Sequence, residues 1–317
     1  MKMDVVYSSD DRYAQHVGVS MVSLFEKNPH FKEINIHLIE NQISLVNRKK
    51  LRSISEEYNR SLTFLSFQDF SSELDLNMEH SISISAYARL FATRVVEKDI
   101  DTLLYLDCDT IINTNLDELF TLNIKDYYVA GVEDTVSPET KKKVGLDSQK
   151  RYINSGVMLI NLKKWREEGI EGKFINFINY YKGTVFHHDQ GVINGVLSDQ
   201  LLILPPKYNA MTPIFTMTRN EMIDYYNLKD IYNEEDLERA KTKPAIIHYT
   251  PAFVNRPWIK GCNHPLTYKY QQYLEMTPWK GTQLEKDNRK LPEKVVAFIF
   301  NHLPFKVARG VSRLIFS

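Results

Sequence analysis

Two acidic residues separated by one position, Asp107 and Asp109, come directly after the apolar run Thr102–Leu106. Such a run is typical of a buried strand, and positions i and i+2 of an extended chain project to the same side. The two carboxylates can therefore bind one cation. Oxygen ligands of this kind suit Mg²⁺ or Mn²⁺, and such an ion can neutralise the charge that develops on a departing diphosphate.

A second pair with the same spacing, Asp99 and Asp101, shows how easily such a pair arises by chance in a chain with 19 aspartates. The two pairs differ in their position relative to the apolar run. Asp99 and Asp101 precede it, where solvated charge is common. In open α/β sheets, ligands bind at the carboxyl ends of the strands. The metal-binding interpretation is therefore given to Asp107 and Asp109.

His248 is a candidate for a third ligand, because it ends another short apolar run, Ala245–His248. Imidazole is a good ligand for a borderline ion such as Mn²⁺, and two carboxylates with one histidine leave coordination positions open for phosphate oxygens. A lone histidine beside apolar residues is more often a hydrogen-bonded core residue. The residues by themselves leave both interpretations open.

Alternating strand-like and helix-like segments must position these side chains. The predicted strands are Met3–Ser8, Glu33–Ile39, Leu62–Phe67, Thr102–Leu106, Tyr127–Val132, Val157–Ile160 and Ala245–His248, and the predicted helices are Tyr13–Glu26, Leu45–Tyr58 and Ser85–Val96. This order predicts an α/β fold with a mostly parallel sheet covered by helices on both faces. After about residue 205 the alternation weakens. We expect a loop at Asn209–Thr218 and a partly helical segment at Asn220–Arg239.

The composition of the 317 residues is that of an ordinary globular protein, long enough for one large domain or two modest ones. Basic and acidic residues balance at 40 each, so no global charge favours a nucleic acid partner. The two cysteines, Cys108 and Cys262, make no disulfide framework. The sequence has neither an N-terminal signal segment nor an apolar stretch of membrane-spanning length. These features predict a cytoplasmic protein.

Six short segments carry a more specific signal. In chain order they are Asp4–Tyr13, Ser85–Leu90, Leu104–Asp109, Tyr152–Leu162, His188–Asn194 and His248–Trp258. Together they resemble the family 8 glycosyltransferases, which include bacterial lipooligosaccharide α-galactosyltransferases and, more distantly, glycogenin. The resemblance implies a GT-A (Rossmann-like) fold, a UDP-sugar donor, a bound Mn²⁺ with Mg²⁺ as a substitute, and retention of the anomeric configuration. We expect a catalytic domain at residues 1–262 and a helical extension at residues 263–317.

Carried over position by position, the resemblance assigns residues to the metal and to the nucleotide. The metal ligands would be Asp107, Asp109 and His248, the uridine pocket would include Ser8, Asp10 and Tyr13, and Arg89 would reach the donor sugar and the phosphates. The Asp10 carboxylate would accept from the uracil N–H, and the ring of Tyr13 could stack on the base. A core helix residue is the alternative for Tyr13, and a surface ion pair is the alternative for Arg89.

The resemblance also assigns the residues that bind the donor sugar and act in catalysis. They are Asn154, Ser155, Asp189 and Gln190, with Asp189 and Gln190 as the catalytic pair. Amides and carboxylates of this kind can distinguish hexose epimers by their hydroxyl groups. Gln190 is a poor nucleophile, which favours a same-face reaction through an oxocarbenium-like state over a double displacement. The alternative for His188-Asp189-Gln190 is a helix N-terminus that Asp189 caps.

One segment departs from the family pattern. The family has His-x-x-Gly-x-x-Lys-Pro-Trp, whereas this chain has two additional residues between His248 and Trp258. Pro251 stands where the glycine is expected and has no N–H to offer a phosphate. Arg256 replaces the lysine and can still supply a positive charge to the diphosphate.

The C-terminal segment Lys294–Ser317 contains no acidic residue and combines apolar residues with four basic ones. Pro304 predicts two short helices instead of one long one. The segment either contacts a membrane surface in plane, which would place the protein peripherally on the inner face of the cell membrane, or packs on the catalytic domain.

The expected function is transfer of a hexose, galactose first and glucose next, to a glycan, glycolipid or glycoprotein of the cell envelope. Two alternatives stay open. One is a glycogenin-like primer that glucosylates itself, and the other is a catalytically idle protein that binds a UDP-sugar or carbohydrate.

Overall fold

A computed structural model describes residues 2–67, 74 and 84–316 of the chain. The side chains of residues 84–86 and 312–316 lie outside this description. The motif residue Ser85 and the tail residue Arg313, both named in the sequence predictions, are therefore described at most by their backbone.

A seven-stranded sheet forms the centre of the fold. The ten described strands are β1 Lys2–Asp10, β2 Glu33–Asn41, β3 Ser61–Ser66, β4 Thr102–Leu106, β5 Thr110–Ile112, β6 Val129–Glu133, β7 Ile153–Asn161, β8 Leu201–Ile203, β9 Ala210–Met211 and β10 Ile246–His248. The main sheet has the order β3-β2-β1-β4-β7-β6-β8, and a small sheet has the order β5-β10-β9. In the main sheet only β7 runs antiparallel to its neighbours. The predicted α/β fold with a mostly parallel sheet is confirmed.

The first strand shows why the strands of the sheet can be predicted from the sequence. Val5, Val6 and Tyr7 are all fully buried. Val5 and Tyr7 belong to the apolar core on one face of the sheet, and Val6 belongs to the core on the other face. A strand that is covered on both faces has no polar positions to alternate with apolar ones, so it appears as a continuous apolar run.

Helices lie on both faces of the sheet. The described α-helices are α1 Ala14–Lys27, α2 Leu45–Glu57, α3 Ala92–Val95, α4 Asp117–Phe120, α5 Pro138–Lys142, α6 Leu162–Glu167, α7 Ile170–Tyr180, α8 His188–Leu197, α9 Thr212–Thr216, α10 Arg219–Tyr225, α11 Glu234–Thr242, α12 Thr267–Leu274, α13 Leu291–His302 and α14 Phe305–Phe316. Four 3₁₀ segments accompany them, at Asp11–Tyr13, Ile84–Phe91, Ser198–Gln200 and Pro206–Asn209.

Two predictions of local structure were wrong. The segment Ser85–Val96 is not one α-helix, because Ile84–Phe91 is a 3₁₀ helix and only Ala92–Val95 is α-helical. Its buried residues include pairs three apart, such as Tyr87 with Leu90, which is the period of a 3₁₀ helix. The predicted loop at 209–218 contains β9 and α9. Strand β9 has two residues and forms by pairing with β10, which a local pattern does not reveal.

The C-terminal part confirms the two short helices that Pro304 predicts, since α13 and α14 lie on either side of Leu303 and Pro304. Tyr270 and Tyr273 of α12 belong to the same apolar core as β1. The domain boundary at residue 262 stays a prediction. None of the helices in the described part of the chain has the length and hydropathy that crossing a membrane requires.

Candidate active site

The carboxyl end of β4 and the small sheet bring Asp107, Asp109 and His248 together. Asp107 and Asp109 follow β4, and Thr110 begins β5. Strand β10 pairs antiparallel with β5, so that His248 lies opposite Thr110. His248 Nε2 consequently lies 3.1 Å from Asp109 Oδ1 and 3.7 Å from Asp107 Oδ2.

These three side chains fit a divalent cation. One ligand atom from each lies within 4.8 Å of the others. Adjacent ligands of an octahedral ion with bonds of about 2.1 Å lie about 3 Å apart, so small adjustments suffice. Gly156 of β7 borders the same space, since a Cβ placed there would lie 2.3 Å from His248 Cε1 and 2.7 Å from Asp107 Oδ2. The side chains of His248 and Asp107 occupy the space that any side chain at position 156 would need.

Two arginines balance the charge of the two aspartates. Arg89 Nη1 lies 3.0 Å from Asp107 Oδ1, and Arg256 Nε lies 3.2 Å from Asp109 Oδ2. Burial acts to raise the pKa of Asp109, but His248 and Arg256 lower it below its ordinary value. Burial acts to lower the pKa of His248, but the two aspartates raise it above its ordinary value. Arg256, which the family pattern assigns to the diphosphate, therefore lies beside the candidate metal group of Asp107, Asp109 and His248.

Arg89 also connects this site to the beginning of α8. Its Nε lies 3.1 Å from Asp189 Oδ2, and Ser155 Oγ donates to the same carboxylate oxygen at 2.9 Å. Burial acts to lower the pKa of Arg89, but Asp107 and Asp189 raise it above its ordinary value. Burial raises the pKa of Asp189, against the opposing effect of Arg89. The side chain of Arg89 is 17% exposed and does not form a surface ion pair.

Helix α8 begins with an unusual backbone. His187 and His188 both have a positive φ, 60° and 47°, a region that side chains other than glycine rarely adopt. Asp189 and Gln190 follow directly in the first turn. His187 stands at the N-cap position and its side chain makes no capping hydrogen bond, so Asp189 is not the N-cap residue. The two left-handed residues turn the chain so that Asp189 and Gln190 face the site.

Asn154, at the beginning of β7, joins Gln190 to a carboxylate that the sequence predictions missed. Asn154 Nδ2 donates to Asp134 Oδ2 at 3.1 Å and to Gln190 Oε1 at 3.2 Å. Gln190 Nε2 donates to the same Asp134 oxygen at 2.9 Å. The backbone N–H of Ser155 donates to Gln190 Oε1 at 3.2 Å. The amide of Gln190 is therefore fixed in position and orientation.

Two adjoining pockets open at this site. The first, of about 340 Å³, includes Ser8, Asp10 and Tyr13 in its lining, and the second, of about 420 Å³, includes Asn154, Ser155, Asp189 and Gln190. Arg89 and Asp107 line both pockets. The structure thus brings all the residues predicted for a nucleotide to one pocket or to its border, and those predicted for a sugar to the next pocket.

The Asp10 carboxylate also has a local structural role. Its Oδ1 accepts from the backbone N–H groups of Arg12 and Tyr13 at 3.0 and 3.2 Å, and Arg12 Nη2 lies 2.9 Å from its Oδ2. It therefore caps the turn that leads into α1. Tyr13 is half-buried at the pocket and makes edge contacts with His16 and Trp258, so it is not a fully buried core residue.

Asp134 and Asn209 are two polar residues at this site that the sequence predictions did not include. Asp134 follows the buried strand β6 directly, so it shows the same kind of signal that identified Asp107. Asn209 accepts at Oδ1 from His248 Nδ1 at a distance of 2.8 Å. It lies in a segment predicted to be a loop, and nothing in the local sequence indicates that it is buried.

Comparison with known proteins assigns the family. The sequence model described as "Glycosyl transferase family 8" matches residues 4–262. The chain belongs to glycosyltransferase family 8. General stress protein A of Bacillus subtilis is 30% identical to this family 8 chain over 286 residues, 87% of the chain and 94% of the relative. The lipopolysaccharide 1,2-glucosyltransferase of Escherichia coli K12 is 28% identical over 88% of the chain and 79% of the relative.

A solved structure agrees with this assignment. The crystal structure of the galactosyltransferase LgtC in complex with donor and acceptor sugar analogues has a TM-score of 0.71 and 26% sequence identity. The match covers 87% of this chain and 96% of LgtC. The predicted family, GT-A fold and glycosyltransferase class are confirmed.

Proposed function

We propose that this family 8 glycosyltransferase transfers a hexose from a UDP-sugar to a glycan or glycoprotein of the cell envelope, with retention of the anomeric configuration. Galactose is the first expected sugar and glucose the second, since a galactosyltransferase and a glucosyltransferase are among its relatives. The observation that carries the proposal is the group of Asp107, Asp109 and His248 at the border of two adjoining pockets.

The first pocket is assigned to the nucleotide. Ser8, Asp10 and Tyr13 would bind the uridine. Arg89 and Arg256 would bind the phosphates, because a guanidinium group matches phosphate geometry and is always charged. A Mn²⁺ ion, or Mg²⁺ in its place, held by the two aspartates and His248 would neutralise the charge of the departing UDP.

The second pocket is assigned to the hexose and the acceptor. Asn154, Ser155 and Asp189 offer donors and acceptors to the hydroxyl groups of the sugar. Gln190 is held by Asp134 and Asn154, and its neutral amide is a poor nucleophile. This supports departure of UDP and attack of the acceptor on the same face of the sugar, with the Gln190 oxygen beside the positive charge that develops on the ring.

A thermal-shift panel of UDP-sugars with and without Mn²⁺ tests the proposal. A ligand at 100 times its Kd stabilises the folded state by about 2.7 kcal/mol. We expect UDP-galactose or UDP-glucose to raise the Tm in the presence of Mn²⁺, and Asp109→Asn to lose that effect. If no UDP-sugar raises the Tm under either condition, the donor assignment is wrong.

We also propose that the C-terminal helices attach this protein to the cytoplasmic face of an anionic membrane. Phe300 stacks on Phe253 at a ring distance of 3.7 Å, so α13 packs on the rest of the chain by one face. Phe298, in the same helix, is 62% exposed, and Leu303 and Val307 are also exposed. Exposed apolar residues in a segment without acidic residues suit the boundary of a negatively charged lipid surface.

Sedimentation with anionic vesicles tests the membrane contact. We expect Phe298→Glu to weaken vesicle binding and to leave turnover of the UDP-sugar unchanged. Leu45→Glu is a matched control, because Leu45 is an exposed apolar residue of a different helix, α2. Equal binding of both variants and the wild type would contradict this attachment.

A further inference from the structure

Asn209 is a fully buried amide that the assignments above do not use. It ends the 3₁₀ turn Pro206–Asn209 directly before β9, and β9 pairs with β10 so that Met211 lies opposite His248. Asn209 Oδ1 lies 2.8 Å from His248 Nδ1, whereas His248 Nε2 faces the two aspartates. Asn209 Nδ2 donates to Asn154 Oδ1 at 2.9 Å. The amide therefore bridges the cation site and the sugar pocket.

The orientation of both amides follows from neighbours whose hydrogen-bonding roles cannot reverse. Asn154 Nδ2 contacts the Asp134 carboxylate, which only accepts. Asn154 Oδ1 accepts from the backbone N–H of Gly156 at 3.0 Å, which only donates. Asn154 must therefore present its oxygen to Asn209. Asn209 in turn must present its nitrogen to Asn154 and its oxygen to His248.

We propose that Asn209 is a positioning residue that holds His248 in the tautomer with the proton on Nδ1. An amide oxygen can only accept, so the ring nitrogen that faces it must donate. Nε2 faces the two aspartates, which also only accept, so Asn209 and the aspartates compete for the single proton of a neutral ring. A cation bound by Asp107 and Asp109 would take the lone pair of Nε2, and the proton would then stay on Nδ1, where Asn209 accepts it. The inference rests on the proposed metal site and adds to it a residue that is hydrogen-bonded to the proposed ligand His248.

The buried environment makes this contact important for metal affinity. His248 is 3% exposed and Asn209 is 0% exposed. Without Asn209, the Nδ1–H group of His248 and the oxygen of Asn154 would each lose a partner at a site that water reaches poorly. Loss of such a hydrogen bond behind a metal-binding histidine typically weakens metal binding by about 10–100-fold.

Two substitutions at Asn209 separate the accepting role from the donating role. Asn209→Leu has nearly the same size and removes both. Asn209→Asp keeps an acceptor for His248 Nδ1 and removes the donor to Asn154. Asn161→Leu is the matched control, because Asn161 is another buried amide whose hydrogen bonds, to Ile124 O, Lys125 O and Tyr127 O and from Lys164 N, lie away from the site.

The readouts are the affinity for Mn²⁺ alone, by isothermal titration calorimetry, and the ¹⁵N chemical shifts of His248 in metal-free protein at a pH where the ring is neutral. We expect Asn209→Leu to weaken Mn²⁺ binding by about 10–100-fold and to shift the proton of the neutral ring from Nδ1 toward Nε2, which faces the two carboxylates. We expect Asn209→Asp to keep the proton on Nδ1. Asn161→Leu is expected to lower the Tm without changing the Mn²⁺ affinity.

The two proposals fail in different ways. If the wild type does not bind Mn²⁺ while Asn209→Leu shifts the proton of His248 from Nδ1 toward Nε2, the metal assignment fails and the role of Asn209 stands. If the wild type binds Mn²⁺, and Asn209→Leu has the same affinity and the same tautomer, the role of Asn209 is overturned.

Discussion

Gly156 offers a sharp test of the cation site, because a substitution there changes none of the proposed ligands. In Gly156→Ala the new Cβ would lie 2.3 Å from His248 Cε1 and 2.7 Å from Asp107 Oδ2. Ordinary contacts of a Cβ begin near 3.4 Å. The backbone cannot easily move away, since Gly156 O accepts from Asp107 N at 2.7 Å and Gly156 N donates to Asn154 Oδ1.

The magnitude follows from these distances. The ring of His248 must move by about 1 Å and the Asp107 carboxylate by somewhat less, whereas metal–ligand distances tolerate about 0.2 Å. We therefore expect Mn²⁺ affinity to fall by at least the 10–100-fold that is typical of disturbed ligand orientation. Overpacking lowers the free energy of unfolding by about 1–3 kcal/mol. Replacing a glycine by alanine raises it by about 0.4–1 kcal/mol, because the unfolded chain has less conformational entropy. A net loss of at most about 2.6 kcal/mol leaves a protein of ordinary stability folded.

Isothermal titration with Mn²⁺ and urea unfolding measure the two effects separately. Gly172→Ala is the matched control, because Gly172 lies in α7 and a Cβ there would meet nothing within 4 Å. We expect this control to bind Mn²⁺ like the wild type and to be equally or more stable. If Gly156→Ala also binds Mn²⁺ with wild-type affinity, the three side chains do not form the metal site in the arrangement described here.

Three further predictions concern the site and the stability of the fold. Asp107→Asn and Asp109→Asn should each abolish Mn²⁺-dependent hydrolysis of the UDP-sugar, measured as release of UDP; wild-type rates in both would end the metal assignment. Gly191→Ala should lower kcat at least 10-fold, because its Cβ would lie 2.0 Å from Phe186 O and displace the first turn of α8. Burial lowers the pKa of His264 to about 4, so only the unfolded state gains a proton between about pH 6.5 and 4. His264 alone should therefore lower the free energy of unfolding by about 2 kcal/mol from pH 7 to pH 5, and urea unfolding should show a loss smaller by about this amount in His264→Phe.

The sequence predicts the sheet well because its central strands are buried on both faces. Val5, Val6 and Tyr7 form a continuous apolar run for that reason, and Asp107 and Asp109 stand out because they follow a run of the same kind. Pro304 likewise predicts the break between the last two helices. Each of these signals is local in the chain, and the structure confirms the elements that they predict.

What the sequence does not reveal depends on contacts between distant segments. Asn209 lies beside His248 only because the two-residue strand β9 pairs with β10, whose paired residues lie 37 positions later in the chain. The left-handed backbone at His187 and His188 is held by tertiary contacts, since neither residue favours it. The resemblance to family 8 supplied Asn154, Ser155, Asp189 and Gln190 as candidates, which periodicity by itself would not have selected.

The two arginines beside the aspartates have a practical consequence for handling the enzyme. Arg89 pairs with Asp107, and Arg256 pairs with Asp109. The negative charges of the two aspartates therefore remain balanced when a chelator removes a cation. We expect protein treated with EDTA to remain folded and to regain full Mn²⁺ affinity on dialysis. Aggregation or irreversible loss of binding after one such cycle would show that the guanidinium groups do not substitute for the ion.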